Sequence, residues 1–227
     1  MKIIITITYL FFACLSLMAQ DAKTDFNTIN RYYNTTENLA FDIKYELFLD
    51  GSTTPNEVET GKYVKQKKKY YTKQGNNEII ITDSYMFMID RTMKILIADK
   101  KIDDKKLVNP LAESLDSLFL LYSKIDVLAS QKPNTKGYRF YIKIGPYSSC
   151  DVYFNTKTNF VTEIINVFRD KIPDQNNKLR QAVLKTTYSE VNSLNTVFDY
   201  KNYITLVNKK YTLANPYKSF KFINHLN

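Results

Sequence analysis

The stretch from Glu59 to Lys100 reads ETGKYVKQKKKYYTKQGNNEIIITDSYMFMIDRTMKILIADK and predicts the architecture of the whole chain. Its β-branched and aromatic residues fall into short runs: Gly61–Val64, Tyr70–Lys73, Glu78–Thr82 with Tyr85–Ile89, and Lys94–Ala98. Turn-forming groups separate these runs: Gln74-Gly75-Asn76-Asn77, Asp83-Ser84 and Asp90-Arg91. Short strands divided by tight turns are typical of an antiparallel meander.

A helix and a long strand are predicted before this meander. Residues Asp25 to Glu37 carry apolar side chains at spacings of three and four, which indicates a short amphipathic helix. From Leu39 to Asp50 apolar and polar residues alternate, a period typical of a strand with one buried face.

The strongest helical pattern follows the meander, from Leu107 to Gln131. Asn109-Pro110 suits a helix start, and Lys132-Pro133-Asn134 suits its end. One stripe of this helix is apolar: Leu111, Leu115, Leu118, Phe119, Tyr122, Ile125 and Ala129. We expect this helix to cover one face of the sheet.

A second set of strands comes after this helix. It comprises Tyr138–Ile144, a hairpin of Cys150–Asn155 with Phe160–Arg169, the run Val183–Val191, and Tyr200–Val207. The sequence therefore predicts an α+β fold, in which helices cover the concave face of a curved antiparallel sheet.

Residues 1–19 are predicted to be a signal peptide. Lys2 supplies a positive start, Ile3 to Leu17 is apolar, and Ala19 offers a small residue for cleavage. The alternative is a lipoprotein signal that ends at Cys14, which would anchor the protein to a membrane. Residues 20–227 then form one periplasmic domain with a basic C-terminal tail from about Lys209.

Catalytic chemistry is not expected. The single histidine, His225, stands close to the C-terminus, and five glycines are scattered without a phosphate-binding loop. Once the signal peptide is removed, Cys150 is the only cysteine, so a zinc site of histidine and cysteine ligands has too few residues. We expect neither an enzyme nor a bound metal or cofactor.

The order of elements resembles the LolA/LolB-like family of periplasmic lipoprotein carriers. The similar positions are Gly61 and Tyr63, the aromatic basic segment Lys68–Tyr71, and the hairpin Asp83–Asp90. The chain departs from the family pattern because it has no tryptophan and carries Ser84 where the family has glycine. The resemblance implies an incomplete barrel closed by helices over an apolar cavity.

Apolar side chains of the predicted sheet and helix are the candidate ligand site. Methionine and aromatic side chains adapt to an acyl chain, although the same residues could instead pack on one another and leave no void. The predicted hollow is formed by Phe41, Ile43, Tyr45, Leu47, Met86, Met88, Leu115, Leu118, Phe119 and Tyr122.

A basic run accompanies this hollow, in a chain whose formal net charge is +9. One interpretation is contact with an anionic membrane surface, and the other is a solvated strand face that discourages sheet association. Nucleic acid is not an expected partner of an exported protein. The lysines concerned are Lys65, Lys67, Lys68, Lys69 and Lys73.

Two functions follow from these patterns. The first is a non-enzymatic periplasmic carrier or binding protein for a lipid or an acylated ligand, which would itself be a lipoprotein if Cys14 is acylated. The alternative is a structural or adaptor subunit of a cell-envelope assembly, in which the same fold has a filled core and the C-terminal tail docks to an envelope protein.

Overall fold

The computed structural model describes residues 21–100, 120–191, 198–208 and 210–226. Helix α1 covers residues 21–35. The predicted signal peptide, including Cys14, lies outside the described residues. The strands are β1 Asn38–Leu49, β2 Glu57–Gln66, β3 Lys69–Gln74, β4 Asn77–Ile81, β5 Tyr85–Asp90, β6 Ile95–Lys100, β7 Tyr122–Leu128, β8 Thr135–Ile142, β9 Tyr147–Asn155, β10 Val161–Phe168, β11 Ile172–Pro173, β12 Leu179–Arg180, β13 Ala182–Glu190, β14 Ile204–Val207, β15 Lys210–Leu213 and β16 Lys221–Asn224.

The chain forms two compact units. Among the described residues, unit 1 comprises 21–35, Glu46–Val58 and 120–187. Unit 2 comprises, within the same limits, Thr36–Tyr45, 59–100, 188–191, 198–208 and 210–226. The long strands β1, β2 and β13 each contribute residues to both units.

Unit 1 is an antiparallel sheet covered by helix α1. Its strand order is β13-β10-β9-β8-β7. Phe26 of the helix is buried, and its ring centroid lies 5.9 Å from that of Tyr138 and 5.2 Å from that of Phe140. Ile29 and Tyr33 are buried on the same stripe of the helix. The helix predicted over Asp25–Glu37 is therefore confirmed, with its observed end at residue 35.

Polar contacts fix helix α1 on this sheet. The Asp25 carboxylate accepts hydrogen bonds from Lys136 Nζ at 2.7 Å and from the Tyr138 hydroxyl at 2.6 Å. The buried Tyr33 hydroxyl accepts a hydrogen bond from the Val161 amide at 3.0 Å. These partners satisfy groups that would otherwise lose water without compensation.

Unit 2 contains the predicted meander. Its strand order is β16-β6-β5-β4-β3-β2-β1, and the pairs from β2 to β6 are all antiparallel. The strand β16 pairs with β6 in the parallel direction, with Phe222 opposite Leu96. The meander is confirmed, and the parallel pair with the C-terminus is an addition that the sequence analysis missed.

The helix predicted over Leu107–Gln131 is wrong for its second half. Residues 120–121 are helical, but Tyr122–Leu128 forms strand β7, in which Ile125 lies opposite Phe140 of β8. Pairing with β8 supplies the backbone hydrogen bonds of β7, and its β-branched Ile125 and Val127 suit a strand. Residues 107–119 lie outside the described residues. The antiparallel sheet with one covering helix is thus confirmed, and the further covering helix is not seen over β7.

The predicted basic tail is folded into unit 2. Residues from Lys210 form β15, a 3-10 turn at Asn215–Tyr217 and strand β16. Tyr217 and Leu226 are buried in the hydrophobic core of this unit. This segment is therefore part of the core of unit 2, because its aromatic and apolar side chains cover a face of the sheet.

Candidate functional site

The sheet of unit 2 has two apolar faces, because directly opposed residues on antiparallel strands share a face and successive residues alternate. One of them, the core face, carries Ala40, Val64, Tyr71, Ile80, Phe87, Ile89, Leu96 and Ala98. The chain's own C-terminal segment covers the core face with Phe198, Tyr203, Ile204, Tyr217 and Leu226. The Phe87 and Tyr203 rings, for example, stack with their centroids 4.8 Å apart.

A charge cluster around the buried Glu78 fixes the segment on the core face. Glu78 is buried, and its Oε1 atom accepts a hydrogen bond from Arg91 Nε at 2.5 Å. The same guanidinium donates to the Tyr217 hydroxyl at 3.4 Å and lies 5.7 Å from the centre of that ring. Burial, with the negative charge of Glu78 beside it, raises the pKa of Tyr71 to about 12.

The second face, which we call the methionine face, follows from the strand register. One row runs Tyr63–Thr72–Ile79–Met88–Ile97, and the next runs Lys65–Tyr70–Ile81–Met86–Asp99. The β1 residues Phe41, Ile43 and Tyr45 continue this face beyond β2. Phe41 stacks on Tyr63 with ring centroids 4.9 Å apart, and a Cβ at Gly61 would lie 3.5 Å from that of Ile43.

The methionine face is incompletely buried. Ile79 is 40% exposed, and Met86, Met88 and Ile97 are half-buried. Towards β1 the face becomes closed, since Phe41 and Tyr63 are both buried. The face therefore has a partly exposed end of aliphatic and methionine side chains and, towards β1, a buried aromatic end.

The structure brings five residues of the predicted hollow together. Phe41, Ile43, Tyr45, Met86 and Met88 all lie on the methionine face, as the strand register requires.

Two of the other predicted hollow residues, Leu47 and Tyr122, belong to unit 1, where the Tyr122 ring contacts that of Phe140 at 6.2 Å. Leu115, Leu118 and Phe119 lie outside the described residues.

The predicted lysines do not form one surface. Only Lys65 lies on the methionine face, and it is buried, with 7% of its surface exposed. Lys67 and Lys68 are exposed in the turn between β2 and β3, where Lys67 has a φ of 54°. Lys69 and Lys73 share the core side of β3 with Tyr71, and Lys69 Nζ lies 2.9 Å from the Asp83 carboxylate.

Two polar groups stand at the buried end of the methionine face. Burial lowers the pKa of the Lys65 ammonium, while the charge of nearby Glu37 acts in the opposite direction. Burial also raises the pKa of the Tyr63 hydroxyl. That hydroxyl is buried and has no hydrogen-bond partner among the residues that the structure describes. Tyr63 was predicted only as a position of the family resemblance and not as a ligand-site residue, although side-chain alternation along β2 places it on the same face as Lys65.

Other reactive groups in the described ranges have structural surroundings. Burial raises the pKa of the Cys150 thiol to about 12, which makes it a poor nucleophile. The imidazole of His225 lies 3.5 Å from the Asp99 carboxylate at the surface. Within the described residues, histidine, cysteine and carboxylate side chains form no group that could hold a metal ion. The helices described there are also too short or too polar to cross a membrane.

Comparisons with known proteins give structural likenesses only. No protein-family model matches the chain, and no curated protein matches its sequence. Similar solved structures include an uncharacterized conserved protein of Thermus thermophilus, with a TM-score of 0.42 and 10% identity over 92% of this chain and 99% of that one. The Pseudomonas aeruginosa MucA/MucB complex is similar with a TM-score of 0.42 and 9% identity, over 78% of this chain and 59% of that one.

A LolA superfamily protein of Nitrosomonas europaea is also similar, with a TM-score of 0.31 and 6% identity over 78% of this chain and 97% of that one. The order of elements in the sequence resembled the same family.

Proposed function

We propose that this protein is an exported periplasmic carrier or binding protein, which holds the acyl chain of a lipid or an acylated ligand on the methionine face. One observation carries the proposal. The chain covers the core face of its unit 2 sheet with its own C-terminal segment, yet Ile79, Met86 and Met88 stay partly exposed on the other face.

The side chains of this face suit an acyl chain. Methionine is unbranched and polarizable, so Met86 and Met88 can adapt to ligands of different shape. An acyl chain that covered Ile79, Met88 and Ile97 would remove apolar surface from water, which is worth about 25 cal/mol for each Å² buried. Binding of this kind requires no chemical step, in keeping with the expectation of a non-enzymatic protein.

A charge placed in the middle of the methionine face tests the proposal. We expect Met88→Lys to weaken binding of a fluorescent long-chain fatty acid by at least about tenfold, because the ligand would bury an ammonium group. Met93→Lys is the matched control, since Met93 is 69% exposed in the turn between β5 and β6. Equal binding by both variants, at unchanged melting temperature, would exclude the methionine face as the ligand site.

The adaptor function remains the second candidate, because the core face is filled. The β14–β15 hairpin of unit 2 presents Leu206 and Val207 with 59% and 52% of their surfaces exposed. A cleft of about 780 Å³ lies beside this hairpin, lined by residues that include Tyr203, Leu213 and Pro216. We expect an envelope partner of an adaptor to contact this hairpin.

A comparison of two variants distinguishes the carrier function from the adaptor function. If the protein is an adaptor, Leu206→Asp with Val207→Asp should abolish capture of an envelope protein. If it is a carrier, Met88→Lys should abolish fatty-acid binding. The exposed Lys67 and Lys68 remain the predicted contacts to an anionic membrane surface in either case.

A further inference from the structure

The buried end of the methionine face combines two hydrogen-bond donors with apolar walls. Tyr63 and Lys65 are two residues apart on β2 and therefore point to the same side of the sheet. Both are more than nine-tenths buried. Phe41 stacks on one side of Tyr63 at 4.9 Å, so the phenol is held by its ring rather than by its hydroxyl.

The Tyr63 hydroxyl is the unusual group. Buried polar groups in folded proteins are nearly always hydrogen-bonded, and one left unsatisfied costs about 1–3 kcal/mol. Across the described part of the chain this hydroxyl has no partner. An acceptor atom supplied by a ligand would remove that cost.

We propose that the methionine face selects a fatty acid in its anionic form, whose carboxylate accepts a hydrogen bond from the Tyr63 hydroxyl and lies beside the Lys65 ammonium. This inference rests on the proposed function and adds the head group of the ligand to it. The acyl chain then extends from Tyr63 along the row that ends at Ile97.

The number of donors favours a carboxylate over a phosphate. The buried end offers two donor groups, the Lys65 ammonium and the Tyr63 hydroxyl, which match the two acceptor oxygens of a carboxylate. A phosphate group would bring more charge and more oxygens than these two donors satisfy, and burying an uncompensated charge is costly. The exposed Glu37 is the carboxylate whose charge already acts on Lys65, and a ligand carboxylate would join it on the buried side.

The dimensions also fit one long chain. The row Tyr63–Thr72–Ile79–Met88–Ile97 crosses the strands β2 to β6. Neighbouring strands are about 4.8 Å apart, so the row spans about 19 Å, comparable to an extended long-chain fatty acid. Beyond Thr72, which contributes a methyl group, its side chains are apolar.

The experiment compares hexadecanoic acid with its methyl ester and with lysophosphatidylcholine on the full chain. We expect the wild-type protein to bind the acid about tenfold more tightly than the ester, because the ester has no charge for Lys65 and a weaker acceptor for Tyr63. Tyr63→Phe should lower this acid-to-ester ratio about fivefold, and Lys65→Met should bring it close to one. Lys73→Met, on the core side of β3, is the control and should keep the wild-type ratio.

The ratio is measured within each variant, so a partial loss of folded protein affects both ligands equally. A wild-type protein that binds the ester or lysophosphatidylcholine as tightly as the acid would overturn this inference and leave the proposed function standing. Unchanged ratios in Tyr63→Phe and Lys65→Met would overturn it as well. If the protein binds none of the three ligands, both the inference and the proposed function are wrong.

Discussion

The aromatic rings of Phe41 and Tyr63 stack with their centroids 4.9 Å apart and an angle of 20° between their planes. Tyr188 meets Phe41 edge-on, with ring centroids 5.7 Å apart. The stacked pair joins β1 to β2 at the buried end of the methionine face. The stability of unit 2 and the proposed ligand site therefore depend on the same two side chains.

Phe41→Ala should destabilise the protein by about 3–5 kcal/mol, because it removes a buried ring and leaves a cavity. Urea unfolding followed by circular dichroism measures this change. Met93→Ala, at an exposed turn position, should stay within about 0.5 kcal/mol of the wild type. A loss below about 1 kcal/mol for Phe41→Ala would mean that the ring does not pack as described.

Tyr33→Phe isolates one hydrogen bond between helix α1 and the unit 1 sheet. The substitution keeps the ring and removes the oxygen that accepts from the Val161 amide. We expect a loss of about 1–3 kcal/mol and faster hydrogen exchange at that amide, which is left buried without a partner.

Tyr147→Phe is the control for this effect, since its half-buried ring contacts Phe168 at 5.0 Å in the same unit. Its stability should change by less than about 0.5 kcal/mol. Slow exchange at Val161 in the Tyr33→Phe protein would show that another group satisfies the amide.

Tyr217→Ala tests whether the C-terminal segment is part of the core of unit 2. The Tyr217 ring is buried, its centroid lies 5.9 Å from that of Tyr203, and the Arg91 guanidinium lies over its face. We expect a loss of about 3–5 kcal/mol in thermal or urea unfolding. The neighbouring Lys218 is exposed, so Lys218→Ala should be nearly neutral. Equal stability of the two variants would show that the segment does not contribute to the core of unit 2.

The ion pairs of Arg180 with Asp50 and Asp174 should make the stability of the protein depend on pH. Its Nη1 atom lies 2.6 Å from Asp50 Oδ2, and its Nε atom lies 3.0 Å from Asp174 Oδ2. Hydrogen bonds from Arg180 and the Gln181 amide lower the pKa of Asp50, and those from the Lys178 amide and Arg180 lower the pKa of Asp174. Because both pKa values are depressed in the folded state, the pairs stabilise it above about pH 4 and lose this effect as the pH falls further.

Arg180→Gln should therefore melt below the wild type at about pH 6, and the difference between the two melting temperatures should shrink towards about pH 2. Arg169→Gln is the control, since the Arg169 guanidinium donates to the carbonyls of Ile142, Gly145 and Tyr147, which do not titrate. A difference that stays constant with pH for Arg180→Gln would contradict the assigned pairing.

The parts of the fold that the sequence predicted correctly depend on local patterns. The alternation from Leu39 to Asp50 indicated strand β1, and the turn residues between Tyr70 and Lys100 indicated the meander. The face shared by Phe41, Met86 and Met88 followed from the same alternation. Helix α1 was predicted from the spacing of Phe26, Ile29, Tyr32 and Tyr33, and all of these except Tyr32 are buried.

The errors come from contacts that are distant in sequence. In residues 122–129 the spacing of Tyr122, Ile125 and Ala129 suits a helix, but a short apolar run can also form a strand when a partner is present. Strand β8 is that partner. The parallel pairing of Phe222 with Leu96 joins segments far apart in the chain, and no local pattern indicates it. The burial of Lys65 was not predicted for the same reason, since it depends on distant contacts and Lys65 stands in a run of lysines.

Photo-crosslinking of the ligand tests the central claim most directly. A long-chain fatty acid with a diazirine on its acyl chain would be bound to the wild-type protein, irradiated, and its adducts mapped by peptide mass spectrometry. We predict adducts concentrated on β4 and β5, between Asn77 and Asp90, at Ile79, Met86 or Met88, and their loss in the Met88→Lys protein. Adducts confined to the strands of unit 1, such as β8 and β9, or to the β14–β15 hairpin would contradict the assignment of the acyl-chain site to the methionine face.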